Sequence, residues 1–211
     1  MIEEGKGNLL QAEAEALVNT VNCMGFTGKR IALQFKQAFP ENYDAYHRAC
    51  QAGEVRPGRM FVFQTGSMVD PKYIINFPTK RHWRGDSKIE DIETGLKALI
   101  EEIRKLGIKS LAVPPLGCGL GGLSWEVVGT MIVQSFEQLP GVRVLLFAAH
   151  GAPDAKAMPV HTKAPKMTLP RAMFIKIMEQ YVSLAYRLTL LEVQKLRLLL
   201  ARGRRALEVE V

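Results

Sequence analysis

The 211-residue chain is short of the features that mark several large function classes. Cysteine is scarce: Cys23, Cys50 and Cys118 stand far apart with no Cys-x-x-Cys among them, so neither a disulfide framework nor a structural zinc is expected, and a reducing cytoplasm fits. The four histidines, His47, His82, His150 and His161, have no metal-ligand spacing, and no metal or other cofactor is expected. A basic segment followed by an apolar one is missing from the Met-Ile-Glu-Glu start, and the most apolar stretch, residues 184–200, is interrupted by Arg187, Glu192, Lys195 and Arg197. No signal peptide, membrane span or membrane partner is predicted.

A charge excess is also missing from most of the chain. Residues 1–155 hold 17 Lys and Arg against 17 Asp and Glu, whereas residues 156–211 hold 11 against 4, so the net +7 lies wholly in the tail. Nucleic-acid affinity of the first part must then come from a local patch, and Lys80-Arg-His-Trp-Arg84 is the candidate.

What is present is an alternation of strand and helix patterns up to about residue 150. Strands are expected over 2–10, 16–22, 59–65, 72–77, 108–113 and 142–149, the second nearly continuously apolar, as in a sheet covered on both faces. Helices are expected over 29–39, over 41–52 between Pro40 and Gly53, from a Ser87/Glu90 capping box to Gly107, and from an N-cap at Ser124 to about Leu139. This predicts an α/β domain with a mixed sheet between two helical layers. Pro153, Pro159, Pro165 and Pro170 mark a linker over 153–170. Helices over 171–188 and 190–202 then form a short C-terminal extension, the first lined by Met173, Ile177, Tyr181 and Leu184.

Two glycine loops follow strands. Cys23-Met-Gly-Phe-Thr-Gly28 follows the second strand, and Pro114-Pro-Leu-Gly-Cys-Gly-Leu-Gly-Gly-Leu123 follows the fifth. Glycines at 117, 119, 121 and 122 permit positive φ and let consecutive N–H groups converge on an anion, although a tight connection alone would also use them. No Gly-Lys-Ser/Thr follows, so this is not a nucleotide-hydrolase phosphate loop. Ligands of such sheets bind beyond the carboxyl ends of the strands, where both loops lie.

In Asn19-Thr-Val-Asn22, Gly28-Lys-Arg-Ile31, Ile75-Asn-Phe-Pro-Thr-Lys80 with His82-Trp-Arg84, and Val113-Pro-Pro-Leu-Gly-Cys-Gly119, the chain resembles the macrodomain superfamily. More narrowly it resembles the DarG-type antitoxins, DNA ADP-ribosyl glycohydrolases partnered with DarT-type toxins. The resemblance implies a three-layer α/β/α macrodomain over 1–152 that binds ADP-ribose and removes it from thymidine in single-stranded DNA. Residues 171–211 resemble the start of the family's toxin-binding region, which normally runs further, so an antitoxin cut short is expected and a DarT-type partner is in doubt.

By the same resemblance Lys80 is the residue needed for turnover. Asn8 and Leu9 would meet the adenine, Gly117, Cys118, Gly119, Gly121, Gly122 and Leu123 would hold the diphosphate and distal ribose, and the 22–31 loop with Asn22, Gly28, Lys29 and Ile31 would close the other side. Thr79 and Trp83 are further substrate-binding residues. On chemistry alone, Lys80 can act as a neutral nucleophile, a form favoured by the neighbouring charges of Arg81 and Arg84, or as a cation supporting the departing base. Asn22 can bind ribose hydroxyls or close an Asx turn. Trp83 can stack on an unpaired base or pack over its own loop. Cys118 has no identified base partner and is read as a small loop residue.

Three departures from the family pattern bear on activity. Gly7-Asn8-Leu9 stands where Gly-Asp-Leu is usual, so Asn8 accepts only through its amide oxygen. Gly25-Phe-Thr-Gly-Lys-Arg30 stands where Gly-Val-Met-Gly-Lys-Gly is usual, so Arg30 either crowds the loop or adds a phosphate contact. Gly121 occupies a position where the eukaryotic relatives carry an aspartate, so Lys80 acts without that partner. A non-hydrolytic module that only binds ADP-ribose, and an antitoxin acting through its C-terminal helices alone, are the alternatives.

Overall fold

The computed structural model describes residues 1–28, 30–148, 158–162, 166–181, 189 and 191–195. The chain divides into two compact units, Met1–Thr162 and Lys163–Val211. The first contains β1 (Ile2–Glu4), β2 (Ala16–Asn22), α1 (Arg30–Ala38), α2 (Pro40–Gln51), β3 (Phe61–Gln64), β4 (Tyr73–Lys80), α3 (Ile89–Leu106), β5 (Ser110–Val113), α4 (Trp125–Phe136) and β6 (Arg143–Leu146). They form one six-stranded sheet in the order β1-β6-β5-β2-β4-β3. Every neighbouring pair is parallel except β3 with β4.

Alternation along the central strands separates two cores. Ala16 and Val18, Ile75 and Phe77, and Leu111 and Val113 face α3 and α4, against Ile92, Leu96, Leu99, Ile103, Val128 and Ile132. Leu17, Ile74 and Ala112 face the other way, against Phe35 and Ala38 of α1 and against Leu9 and Leu10. Tyr46 and Ala49 of α2 pack on Val21 and Val55. Helices therefore cover both faces, and the expected three-layer α/β/α arrangement with a mixed sheet is observed.

Local stops are set by backbone chemistry. Pro40 opens α2, where its missing N–H costs nothing, and Gly107 ends α3 in the left-handed region at φ 65°. Gly95, inside α3, is required by packing: a Cβ there would lie 2.2 Å from Cζ of Phe77.

Several element expectations are corrected. The first strand stops at Glu4, because Gly7 turns at φ 78° and the Asn8 side chain accepts from Leu10 N–H at 3.1 Å, opening a 3-10 turn at Leu9–Gln11. The segment Pro78–Thr79–Lys80 is the end of β4 and not loop. β3 reaches only the level of Asn76, so Pro78, lacking an N–H, lies where β4 has β2 as its one neighbour. The Ser87/Glu90 capping box does not form: Lys88 is the N-cap of α3, and Ser87 N–H donates to Gly121 O at 3.0 Å. Ser124 occupies the N-cap of α4 without a side-chain capping bond.

Within the stretch read as linker, residues 158–162 belong to the first unit. His161 N–H donates to Gln37 O at 2.7 Å, and Met158 packs with the α1 core. In the second unit, α5 (Leu169–Tyr181) begins two residues before the expected Arg171, and Met173, expected on its covered face, is 49% exposed. Residues 191–195 are helical. The remaining expectations for 182–188, 190 and 196–211, including Leu184, lie outside the described residues, as do 149–157 and 163–165. Among the described residues no helix is long and apolar enough to cross a membrane.

Candidate functional site

The carboxyl ends of β2 and β4 lie side by side, with Asn22 opposite Lys80 after an irregularity at Val21/Asn22, and Cys23 N–H donates to Lys80 O at 3.0 Å. Three connections leave from this edge: residues 23–28 after β2, 81–88 after β4 and 114–124 after β5. Beneath them a buried amide network fixes the strands, with Asn19 Nδ2 donating to Asn76 Oδ1 at 2.9 Å and Asn76 Nδ2 to Asn42 Oδ1 of α2 at 2.7 Å. Buried amides linked across three elements hold register where apolar packing alone would allow slip, with Asn19 Oδ1 the one atom of the network that has no partner among the described residues.

Lys80 is half-buried and bridges two of the connections. Its Nζ donates to Gly85 O at 2.7 Å and to Leu120 O. Two donors are thereby used, leaving the nitrogen either one further N–H, if ammonium, or its lone pair, if amine. Arg81, expected to press its charge on Lys80, is bound elsewhere: its guanidinium holds buried Asp91 in a two-point pair at 3.0 and 3.2 Å. Arg84 lies over the Trp83 ring, 4.5 Å from its centroid.

The 114–123 loop is partly closed on itself. Cys118, Gly122 and Leu123 N–H donate to Pro115, Gly119 and Gly117 carbonyls at 3.3, 3.4 and 3.2 Å. The consecutive N–H groups of Gly119, Leu120 and Gly121 make no hydrogen bond among the described residues. Gly117 and Gly122 take φ 71° and 77°, and a Cβ on Gly121 would lie 2.2 Å from Gly117 O and 2.3 Å from Ser87 Oγ. Gly121 therefore has no room for any side chain, an aspartate included. Ser87 Oγ is itself buried without a partner, as is Thr27 Oγ1 in the first loop. Burial pushes the Cys118 thiol up to about 11, which keeps it protonated and agrees with a packing role.

Other expected residues are placed unevenly. Asn22 is buried and its amide is taken by its own loop, accepting from Met24 N–H at 2.9 Å and donating to Phe26 O at 2.6 Å, so the turn-closing reading is the one observed. Asn8 Nδ2 lies 3.5 Å from Met158 Sδ, and Leu9 is buried in the core, offering only backbone. Thr79 is buried with its hydroxyl on Val21 O at 3.4 Å. Ile31 packs on the α1 core, Gly28 borders open space and Leu123 joins the α3–α4 core. Lys29 lies outside the described residues.

Trp83 is 47% exposed and meets the ring of Phe26, 54% exposed, with centroids 6.3 Å apart at 56°. Both stacking and loop packing remain compatible with this ring. Phe26 escaped the sequence reading; the available signal was a large aromatic side chain inside a glycine loop, where no core position calls for one. Among the described residues no cluster of His, Cys, Asp or Glu could hold a metal ion.

Comparison with known proteins points in one direction. The Macro domain family model matches residues 18–132. A DNA ADP-ribosyl glycohydrolase of Thermus aquaticus is 48% identical over 197 residues, which are 93% of this chain and 54% of that protein. The chain thus spans about half the length of the curated relatives it matches. The solved macrodomain of Mycobacterium tuberculosis DarG is 55% identical, with a TM-score of 0.70 over 71% of this chain and 99% of that one. Thermosipho africanus DarTG in complex with ADP-ribose is 33% identical, with a TM-score of 0.62 over 72% of this chain and 43% of that one.

Proposed function

The chain belongs to the macrodomain family, and on that premise we propose that it removes ADP-ribose from DNA, acting on ADP-ribosylated thymidine in single strands, with Lys80 essential. The observation that carries the reading is the junction at Leu120: its carbonyl accepts from Lys80 Nζ, and its N–H is the middle one of three unpaired amides. An anion cradle and an amine are thus fastened to the same residue. A diphosphate held by the amides would put the sugar attached to it within reach of the lysine. The names of the relatives, two DNA ADP-ribosyl glycohydrolases among them, support the same reaction.

In that reaction water adds to the anomeric carbon, the C–N bond breaks with its electron pair leaving on the thymine, and the base recovers a proton. Lys80, with two donors fixed on carbonyls, has one valence left to offer. As N–H it supports negative charge on the departing base; as lone pair it bonds the anomeric carbon while the base leaves, and water then takes its place there as the Nζ–C bond breaks and the electron pair returns to Nζ. The Phe26–Trp83 pair supplies faces on which bases beside the modified thymidine stack, each worth ~1–3 kcal/mol. Residues 1–152 carry the hydrolase, residues 158–162 pack on it, and 171–211 are the helical remnant of a region that contacts a DarT-type toxin.

A second reading, binding of ADP-ribose without cleavage, is favoured by the amide of Asn8 standing in place of a carboxylate and by the carbonyl grip on Lys80. One experiment separates the two: release of free ADP-ribose from a thymidine-ADP-ribosylated single-stranded oligonucleotide by the protein and by Lys80→Ala. The hydrolase reading expects release by the unaltered protein, loss by at least 100-fold in Lys80→Ala, and ADP-ribose affinity kept within tenfold, ~1.4 kcal/mol. No release by either, with ADP-ribose still bound in calorimetry, establishes the reader.

A further inference from the structure

Arg30 is the one non-glycine residue with positive φ among the described residues, at 53°. A long side chain in the left-handed region is a backbone outlier, and such strain persists where the surrounding structure enforces it, often at ligand clamps. The side chain leaves the start of α1, just past the first glycine loop, and lies beside the second loop: Nη1 is 3.7 Å and Cδ 3.9 Å from the position a Cβ on Gly119 would take. No hydrogen bond or ion pair holds it among the described residues, and it is exposed. The nearby cations are otherwise engaged, Arg81 with Asp91 and Lys80 with two carbonyls. A free guanidinium thus stands over Gly119, the first of the three residues whose amides are unpaired.

We infer that Arg30 is a diphosphate-binding residue that closes over the second glycine loop and sets the affinity of the site for doubly charged ligands. The inference rests on the ADP-ribose reading above and adds a residue to it. Amides alone offer single donors to a phosphate oxygen. A guanidinium adds full charge and a planar fork that matches two phosphate oxygens at once. Crowding, the other outcome open to a large residue at this position, would instead place the side chain where the diphosphate must lie, and its removal would tighten binding.

The test is calorimetric titration of the full chain with ADP-ribose and, separately, with inorganic pyrophosphate, at low and high salt. Arg30→Gly removes the side chain and relieves the backbone; Arg30→Asn removes the charge with a residue that tolerates positive φ; Arg30→Lys keeps charge without the fork. The expected result is ADP-ribose binding weakened at least tenfold by Gly and Asn and two- to fivefold by Lys, the gap narrowing as salt rises. Thermal unfolding of Arg30→Gly is expected at or above the unaltered temperature, so that lost affinity is not lost folding. Equal or tighter ADP-ribose binding by Gly and Asn overturns the inference and leaves the ADP-ribose reading standing. Binding of pyrophosphate but not ADP-ribose by the unaltered protein, abolished in Gly and Asn, retains the anion role of Arg30 and overturns the ADP-ribose reading. Binding of neither ligand overturns both.

Discussion

At the amino ends of β2, β4 and β5 a single residue, Glu15, joins three segments. Its carboxylate accepts from Lys109 N–H at 2.8 Å and Lys72 Nζ at 3.1 Å, its carbonyl from Lys72 and Tyr73 N–H at 2.9 and 3.1 Å, and its own N–H donates to Ser110 Oγ at 2.8 Å. At the carboxyl ends of the same strands the pattern reverses. Among the described residues three loop amides, the buried hydroxyls of Thr27 and Ser87 and a strained arginine stand there without partners, against a single such buried side-chain atom elsewhere, Asn19 Oδ1 within β2. Unpaired polar groups cost stability wherever water cannot reach them, so their concentration at one edge marks a surface built for something outside the chain. The comparison teaches that the fold is secured at one end of the sheet and left open at the other.

The largest expected effects come from two glycines that test this division. Gly121→Ala forces a Cβ to 2.2 Å from the backbone oxygen of Gly117, and the loop must move. Affinity for ADP-ribose should fall at least 100-fold, about 2.7 kcal/mol, with little change in thermal unfolding. Gly95→Ala meets the Phe77 ring at 2.2 Å in the body of the domain. Overpacking of this kind costs typically about 1–3 kcal/mol, so the unfolding temperature should drop while the folded fraction binds normally. Unfolding by Gly121→Ala, or loss of binding by folded Gly95→Ala, would show that site and scaffold are one unit.

A smaller effect is expected at Glu15, and it depends on pH. The backbone N–H of Lys109, and then Lys72, hold its carboxyl below the ordinary value of 4.5, with burial opposing them. A carboxyl lowered in the folded state contributes stability above its unfolded value and loses it as pH falls through the lower, folded one. Glu15→Gln should therefore destabilise the protein at pH 7 by about 1 kcal/mol, and the difference should close as the pH is lowered below 4.5. ADP-ribose binding at pH 7 should not change. Unfolding curves at several pH values check both parts.

The same division explains what was legible in the sequence. β2 was readable to its last residue because Ala16, Leu17 and Val18 are buried on both faces and the first glycine loop follows directly. Gly53 and Gly107 marked helix ends because each takes positive φ there. The glycine loops were legible through residue type and family resemblance. What failed depends on partners distant in the chain. Pro78 reads as a strand breaker, but its strand has lost one neighbour at that point. Ser87 and Glu90 have capping-box spacing, yet Gly121, far along the chain, takes the Ser87 N–H. Arg81 looked like a free charge until Asp91 came within 3.0 Å. Phe26 and Trp83 meet only because the connections after β2 and β4 leave adjacent strands.

The smallest effect, at Ser87, asks whether the open edge is open before any ligand arrives. The hydroxyl is buried between Gly117 and Gly121 with no partner, although the residue's N–H is used. Removing an orphaned polar group while keeping its backbone bond relieves a desolvation cost and leaves only a small void. Ser87→Ala should therefore stabilise slightly, raising the unfolding temperature by about 1–3 °C, and should change ADP-ribose affinity less than threefold. A fall in unfolding temperature would mean that the hydroxyl is bonded in the free protein, and the contrast between the two ends of the sheet would weaken. A rise in temperature joined to a tenfold loss of affinity would mean that the hydroxyl is satisfied on binding. It would then take its place with the loop amides among the groups that await the ligand.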